Sequence, residues 1–309
     1  MENEIEDQQM LPRQTVKDTV SSMLRTLVSL GLFIAVDYML FKSWEAVFLL
    51  VAVIFIHEMG HFIAMKSFGY KGVNMTFVPF VGAYVSGEAT DFSKSKKIIM
   101  LLAGPVPGII IGSVLFYLYQ QNFEQYYWWA SLTFLSLNLF NMLPVSPLDG
   151  GQIFETLFFS GNRIIQLLFL GASFFLIVFL AINFKLWLLL LIALLLLFRI
   201  FSVNATYRIR KILDTNNIDY RCSYDDLTDE QYWQIRDVLV KENKLLGQHY
   251  RVGVHSEDET KLIGNVKNIL APYYDKELTG MQIILFVLVW LITFSVPVLQ
   301  WLDYRGYFS

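Results

Sequence analysis

Seven stretches of this sequence are apolar for long enough to cross a lipid bilayer, and that property excludes a water-soluble fold for most of the chain. They run over about 24–41, 45–66, 97–119, 127–143, 163–182, 185–202 and 281–301. A membrane-spanning helix needs roughly 20 predominantly apolar residues. Of the 309 residues, 55% are hydrophobic and only 17% are charged, whereas a soluble domain carries about a quarter charged residues. The sequence therefore predicts an α-helical polytopic membrane protein in contact with the lipid bilayer, with about seven transmembrane helices.

Lysine and arginine positions orient these spans. With the N-terminus in the cytoplasm, the cytoplasmic side holds Arg13, Lys17, Arg25, Lys66, Lys71, Lys94, Lys96, Lys97, Arg163, Arg208, Arg210 and Lys211. The opposite side holds only Lys42, Lys185 and Arg305. The first ten residues, MENEIEDQQM, are acidic, unlike the basic start of a secretory signal peptide. The first apolar run thus reads as a retained anchor behind a cytoplasmic tail, residues 1–23. A net charge of −3 gives no reason to expect a nucleic-acid partner. The single cysteine, Cys222, permits no intramolecular disulfide. A compact chain without disulfides points to a prokaryotic cytoplasmic membrane.

Six spans make a membrane domain over 24–202, and the last span with a short tail covers 281–309. Between the second and third spans lies VNMTFVPFVGAYVSG, rich in strand formers and punctuated by Gly82 and Gly87. Pro79 suits an edge or strand-start position and not a central strand. Backbone at membrane depth must be covered by protein or line a water-filled cavity, so this stretch reads as a small re-entrant β element. Its free edge is expected within residues 77–85. Phe80, Val81, Gly82 and Ala83 are the candidate substrate-binding residues. The third span carries Pro105 and Pro107 between Gly104 and Gly108, the pattern of a kinked packing helix. The polar segment 203–280 shows capping-box spacing at Thr228–Gln231 and Ser256–Glu259. Ile235, Leu239, Leu262, Val266 and Ile269 follow with helical spacing. A small cytoplasmic helical domain is expected there, placed to gate access or to dock a regulatory partner.

The second span reads AVFLLVAVIFIHEMGHFIAM and contains His57, Glu58 and His61 as HExxH. Histidines four apart share one helix face, about 6 Å apart along the axis. Two imidazoles at that spacing can grip one zinc ion, and Glu58 can reach a water acidified by the metal. Ionisable groups inside a membrane helix are costly and by default functional. Catalytic zinc takes three protein ligands and leaves one position open. Glu88, Asp91, Asp149, His249 and His255 are all candidates for the third ligand. Asp149 is singled out because it follows an apolar span directly, in NMLPVSPLDGG, where Gly150 and Gly151 allow a sharp turn.

HEMGH at 57–61, AGP at 103–105 and NMLPVSPLDG at 141–150 together resemble the site-2 proteases, zinc metalloproteases that cut substrates within the membrane. The resemblance covers roughly residues 45–155. It implies one zinc ion per chain, held by His57, His61 and Asp149. It makes Glu58 the catalytic acid and base, and Asn141 a residue that binds substrate or stabilises the oxyanion. A transmembrane segment of another protein is the implied substrate. The family often has asparagine three residues after the proline of its Gly-Pro element. Here that position is Gly108, so a polar contact is missing or supplied from elsewhere. Other uses of a membrane HExxH are a protease of prenylated or soluble substrates, an inactive metal-binding scaffold and a metal transporter. The Asn-x-x-Pro and Leu-Asp-Gly elements argue against the first. The intact Glu58 and a single compact ligand set argue against the other two.

Overall fold

The computed structural model describes residues 22–88, 93–159, 162–224, 226–256, 259–270 and 278–306. Its contacts divide the chain into two compact units, Val20–Leu197 with Tyr274–Ser309, and Phe198–Tyr273. The chain runs α1 (Ser22–Phe41), α2 (Trp44–Ser67), β1 (Lys71–Val78), β2 (Gly82–Glu88), α3 (Lys94–Ala103), α4 (Pro105–Asn122), α5 (Gln125–Asn141), α6 (Asp149–Phe154), α7 (Arg163–Asn183), α8 (Leu189–Thr215), α9 (Asp229–Glu242), α10 (Lys244–His249), α11 (Thr260–Ile269) and α12 (Gly280–Gly306).

Among the described residues, six segments are long and apolar enough to cross a membrane: α1, α2, α3 with α4, α7, α8 and α12. Their outward faces carry bare aromatic and aliphatic side chains, such as Phe175, Phe179 and Phe198, which suit lipid and not water. The seventh expected span corresponds to α5, which is 17 residues long. That is about 26 Å of helix, at the short limit for a crossing. The helices start where the sequence supplies caps. Ser43 accepts the Ala46 amide before α2, and Asn162 accepts the amides of Ile164 and Ile165 before α7. The chain breaks at Gly104, and Pro105 opens α4, where its missing N–H has no partner to lose.

The strands form an antiparallel hairpin in which Met75 faces Val85, Thr76 faces Tyr84 and Phe77 faces Ala83. Pro79 and Phe80 lie in the turn, Phe80 with φ of 66°. Helix α1 covers the outer edge of β1. Thr26 Oγ1 donates to the Met75 carbonyl at 2.5 Å, and the Phe77 amide donates to Ser29 Oγ at 3.1 Å. Phe33 of α1 packs on Met75 and Phe77 beneath them.

Ile98, Leu101, Leu102, Ile109, Met142, Ile153 and Phe286 form one buried cluster joining α3, α4, α6 and α12. The Trp290 indole N–H of α12 donates to the Met142 carbonyl at 2.8 Å. The last span therefore braces the core from outside the stretch that the motifs cover.

The Phe198–Tyr273 unit has its own core of Ile209, Leu213, Tyr220, Leu227, Tyr232, Ile235, Leu239, Ile263, Val266, Ile269 and Leu270. Two sequence expectations change here. Helix α8 starts at Leu189, not 185, and does not stop near 202, because Ile209 and Leu213 in its last turns are needed to build this core. The Thr228–Gln231 capping box is formed, but α11 begins at Thr260 with Glu259 as its N-cap, so Ser256 does not start that helix. Glu259 accepts the Ser256 amide at 3.0 Å, one arm of the expected box, and is also drawn into a buried ion pair with Arg236.

Candidate metal centre

HExxH lies on α2, in its C-terminal half. His57, Glu58 and His61 are all buried. Asp149 opens α6 and meets both histidines: its Oδ2 lies 3.1 Å from His57 Nε2 and 3.3 Å from His61 Nε2. The two Nε2 atoms are 3.2 Å apart. Among the described residues this is the one group of three or more His, Cys, Asp or Glu side chains able to hold a metal ion.

The outer nitrogens decide which atoms face inward. His61 Nδ1 lies 2.8 Å from the Met100 carbonyl. A carbonyl only accepts, so Nδ1 carries the proton and Nε2 a lone pair. His57 Nδ1 lies 2.9 Å from Asn138 Oδ1, with the same consequence. With both rings neutral, two imidazole lone pairs and a carboxylate oxygen converge on one point, an arrangement that suits a bound cation. Ligands held tetrahedrally at about 2.0–2.1 Å from zinc stand about 3.3–3.4 Å apart, and the three separations match that to within about 0.3 Å. The donor set, two His nitrogens and one carboxylate oxygen, suits zinc.

Glycines let the elements approach this closely. A Cβ on Gly104 would fall 2.2 Å from His61 Nε2, so the AGP element is what admits the second imidazole. Gly150 and Gly151 do not make the sharp turn expected of them, since both lie within α6. A Cβ there would strike the backbone of Met142 and Val145. Their need is contact with the preceding loop. The Ser146 amide donates to Ser173 Oγ of α7 at 3.2 Å and pins that loop.

A cavity of about 430 Å³ opens over the cluster. Glu58 and Asn141 line it with the three ligand candidates, and residues 81–85 form one wall. Val81, Gly82 and Ala83 are therefore beside the cluster, whereas Phe80 sits at the turn tip outside the lining. The Val85 amide is hydrogen-bonded to the Glu58 carboxylate. Of the other third-ligand candidates, His249 sits on α10 with Nδ1 near the Leu245 carbonyl, and His255 packs near Trp233. Asp91 and the Glu88 side chain lie outside the described residues. The sequence reading missed Asn138, Gln152 and two α8 wall residues, Ile192 and Leu195. A polar side chain inside an apolar run was the available signal for Asn138. The α8 pair carries no signal, being leucine and isoleucine among many.

Comparison with known proteins agrees with this geometry. The profile of peptidase family M50 matches residues 45–121 and 117–184. A zinc metalloprotease of Methanocaldococcus jannaschii is 31% identical over 120 residues, covering 37% of this chain and 34% of that protein. Stage IV sporulation protein FB of Bacillus subtilis is 26% identical over 116 residues, covering 37% of this chain and 40% of the relative. The chain thus spans about a third to two-fifths of the length of these relatives. The matched stretch, a little under half of the chain, contains HExxH, the glycines that admit it and Asp149, and over that stretch the chain is similar to peptidase family M50, the site-2 protease family.

Proposed function

We propose that this protein is an intramembrane zinc endopeptidase that hydrolyses peptide bonds within or near transmembrane helices of other membrane proteins. The observation that carries the reading is one cavity holding a three-ligand cluster, a buried carboxylate and an open strand edge. His57, His61 and Asp149 would hold one zinc ion. Zinc there supplies Lewis acidity, which polarises a carbonyl and acidifies water. Glu58 takes the proton of the attacking water and returns it to the leaving amine. Asn141, at the end of α5, is placed to donate to the developing oxyanion, an interaction that contributes about 2.7–4 kcal/mol in comparable sites.

The β2 edge receives the substrate. A helical substrate hides its carbonyls in its own hydrogen bonds and must unwind before attack. An unwound segment can add as a strand. Hydroxyls of α1 already satisfy the outer edge of β1, so the edge left for a substrate is that of β2, at Ala83, beside the Val85 amide that Glu58 holds. Because Met75 and Phe77 point outward from β1, their partners Val85 and Ala83 point outward from β2, toward the cavity. Proline at Ala83 removes one edge N–H and leaves the β1–β2 ladder intact. Cleavage is expected to fall sharply, and unchanged cleavage would discard the strand-addition idea.

In this reading α5 is a seventh crossing. It pairs with α4, which starts beside His61, and it ends at Asn141 in the same cavity. The N-terminus is then cytoplasmic and the C-terminus outside, in a prokaryotic cytoplasmic membrane. The 203–280 segment is a cytoplasmic docking site for a regulatory partner. Replacing it by a short linker is expected to deregulate cleavage.

The decisive experiment co-expresses tagged single-span membrane proteins with the wild type and with Glu58→Gln, and reads fragment masses. Fragments ending inside the span, made by wild type alone, are expected. A full panel without a difference, using protein that carries zinc, would favour an inactive metal-binding scaffold or transporter.

A further inference from the structure

Each histidine of the cluster is held by its outer nitrogen, but in different ways. The partner of His61 is a main-chain carbonyl in the last turn of α3, where such groups lack a helical donor. The partner of His57 is a side chain, Asn138 of α5, which is 1% exposed and lies outside every motif of the sequence. We propose that Asn138 is a positioning residue of the metal centre: with Gly108 opposite, it fixes the tautomer and the ring orientation of His57. This deepens the metal-centre reading above and rests on it.

The chemistry allows one arrangement of the Asn138 amide. Its Nδ2 lies 2.8 Å from the Phe134 carbonyl, which can only accept. Nδ2 is thereby assigned to that side, and Oδ1 turns toward His57 Nδ1 at 2.9 Å. An amide oxygen accepts, so His57 keeps its proton on Nδ1 and offers a lone pair at Nε2, the atom 3.1 Å from Asp149. Without that acceptor the ring is free to rotate, or to carry its proton on Nε2, which cannot then bind a metal.

Helix α4 supplies the space. An ideal Cβ at Gly108 would lie 2.2 Å from Asn138 Nδ2 and 2.5 Å from its Cγ. Any side chain at 108 must displace the amide. Ser131 provides a control on the same interface: its hydroxyl donates to the Gly112 carbonyl of α4 at 2.9 Å and touches neither histidine.

The test measures zinc affinity of the full-length chain in detergent by competition with a chromophoric chelator, with melting temperature recorded for each variant. Outer partners of metal-binding histidines typically account for about 10–100-fold in affinity. Asn138→Leu keeps the size and removes the acceptor. Gly108→Ala leaves α5 untouched and pushes the amide away. Both are expected to weaken zinc by about 10–100-fold, while Asn138→Asp, which keeps an acceptor, and Ser131→Ala stay within about threefold of wild type. If Asn138→Leu does not accumulate as folded protein, Gly108→Ala decides alone. Should folded Asn138→Leu or Gly108→Ala hold zinc like wild type, the positioning role is refuted and the metal centre stands. Wild type that holds no zinc would instead bring down the metal-centre reading itself.

Discussion

Each unit of this chain buries a cluster of charge, and the two clusters are closed in opposite ways. In the polar unit Arg236 is fully buried and fully spent. Its Nη1 donates to Asp237 Oδ1 at 2.9 Å and to the Arg251 carbonyl at 3.0 Å, and its Nη2 to the Val254 carbonyl at 2.6 Å and Glu259 Oε1 at 2.9 Å. Glu259 is completed by the Tyr232 hydroxyl at 2.9 Å and the Ser256 amide at 3.0 Å. Donors and acceptors balance, so the knot ties the segment after α10 onto α9 and has nothing left to offer a ligand. In the membrane unit the balance fails by design of the residues. Both His Nδ1 protons point outward, and three electron-pair donors face one another within 3.3 Å. Burial is common to both, and hydrogen-bond balance separates a structural cluster from a binding one.

The largest effect expected is at the unbalanced cluster. Asp149→Ala removes a ligand with no loss of an internal donor–acceptor pair, so zinc binding and cleavage are both abolished while the melting temperature of the metal-free chain hardly moves. A collapse of that chain would mean that the carboxylate is structural, and the contrast with Arg236 would vanish. Glu58→Gln comes next. Cleavage should fall by about 10²–10⁴-fold, the usual scale of a general acid–base group, with zinc content preserved. Loss of zinc in that variant would make Glu58 a ligand instead of the proton carrier.

The balanced cluster should respond in stability. Arg236→Leu leaves Glu259 buried without its partner, and breaking such a pair costs about 3–5 kcal/mol. Faster hydrogen exchange across α9 and α11 would report it. Replacing Arg236, Glu259 and Tyr232 together by Met, Leu and Phe should cost far less, because no lone charge then remains buried. If the triple variant is as weak as Arg236→Leu, the knot contributes more than charge compensation.

The two clusters were not equally legible in the sequence. HExxH is local, and its four-residue spacing on one helix face places His57 and His61 together without knowledge of the fold. Asp149 stood out by its place after an apolar run. The β element is legible in its strand formers and glycines, whereas Pro79, expected at an edge or strand start, lies in the turn. Asn138 could not be read this way. It lies one turn before Asn141 in the same apolar run, and spacing alone does not say which asparagine meets the histidine and which the cavity. That depends on the rotation of α5 against α4, set by contacts such as Ser131 with Gly112. Glu259 misled for a related reason. Its spacing from Ser256 fits a local capping box, but its strongest partner is 23 residues away in the chain. Helix α8 likewise outruns its apolar stretch because Ile209 and Leu213 find their neighbours in α9 and α11.

The smallest effect concerns acid. Burial alone would push the Glu259 carboxyl upward, but hydrogen bonds from Arg236, the Ser256 amide and Tyr232 outweigh it and hold the group below its usual range near 4.5. A carboxylate depressed in the folded state binds its proton more tightly when unfolded, so its contribution to stability is complete above that ordinary value. The contribution drains away as pH falls through the depressed folded value. Hydrogen exchange of α9 amides, corrected for intrinsic rates, should therefore show protection falling between about pH 5 and pH 3. Asp237 also contacts Arg236, and His255 lies beside Trp233 on the same unit. Glu259→Gln isolates the effect of its carboxyl: it should lower protection at neutral pH, where the charge is lost, and flatten the acid limb, where wild type and variant become alike. Parallel limbs in the two proteins would take the acid response away from Glu259, and its depressed carboxyl would no longer be what holds the knot shut.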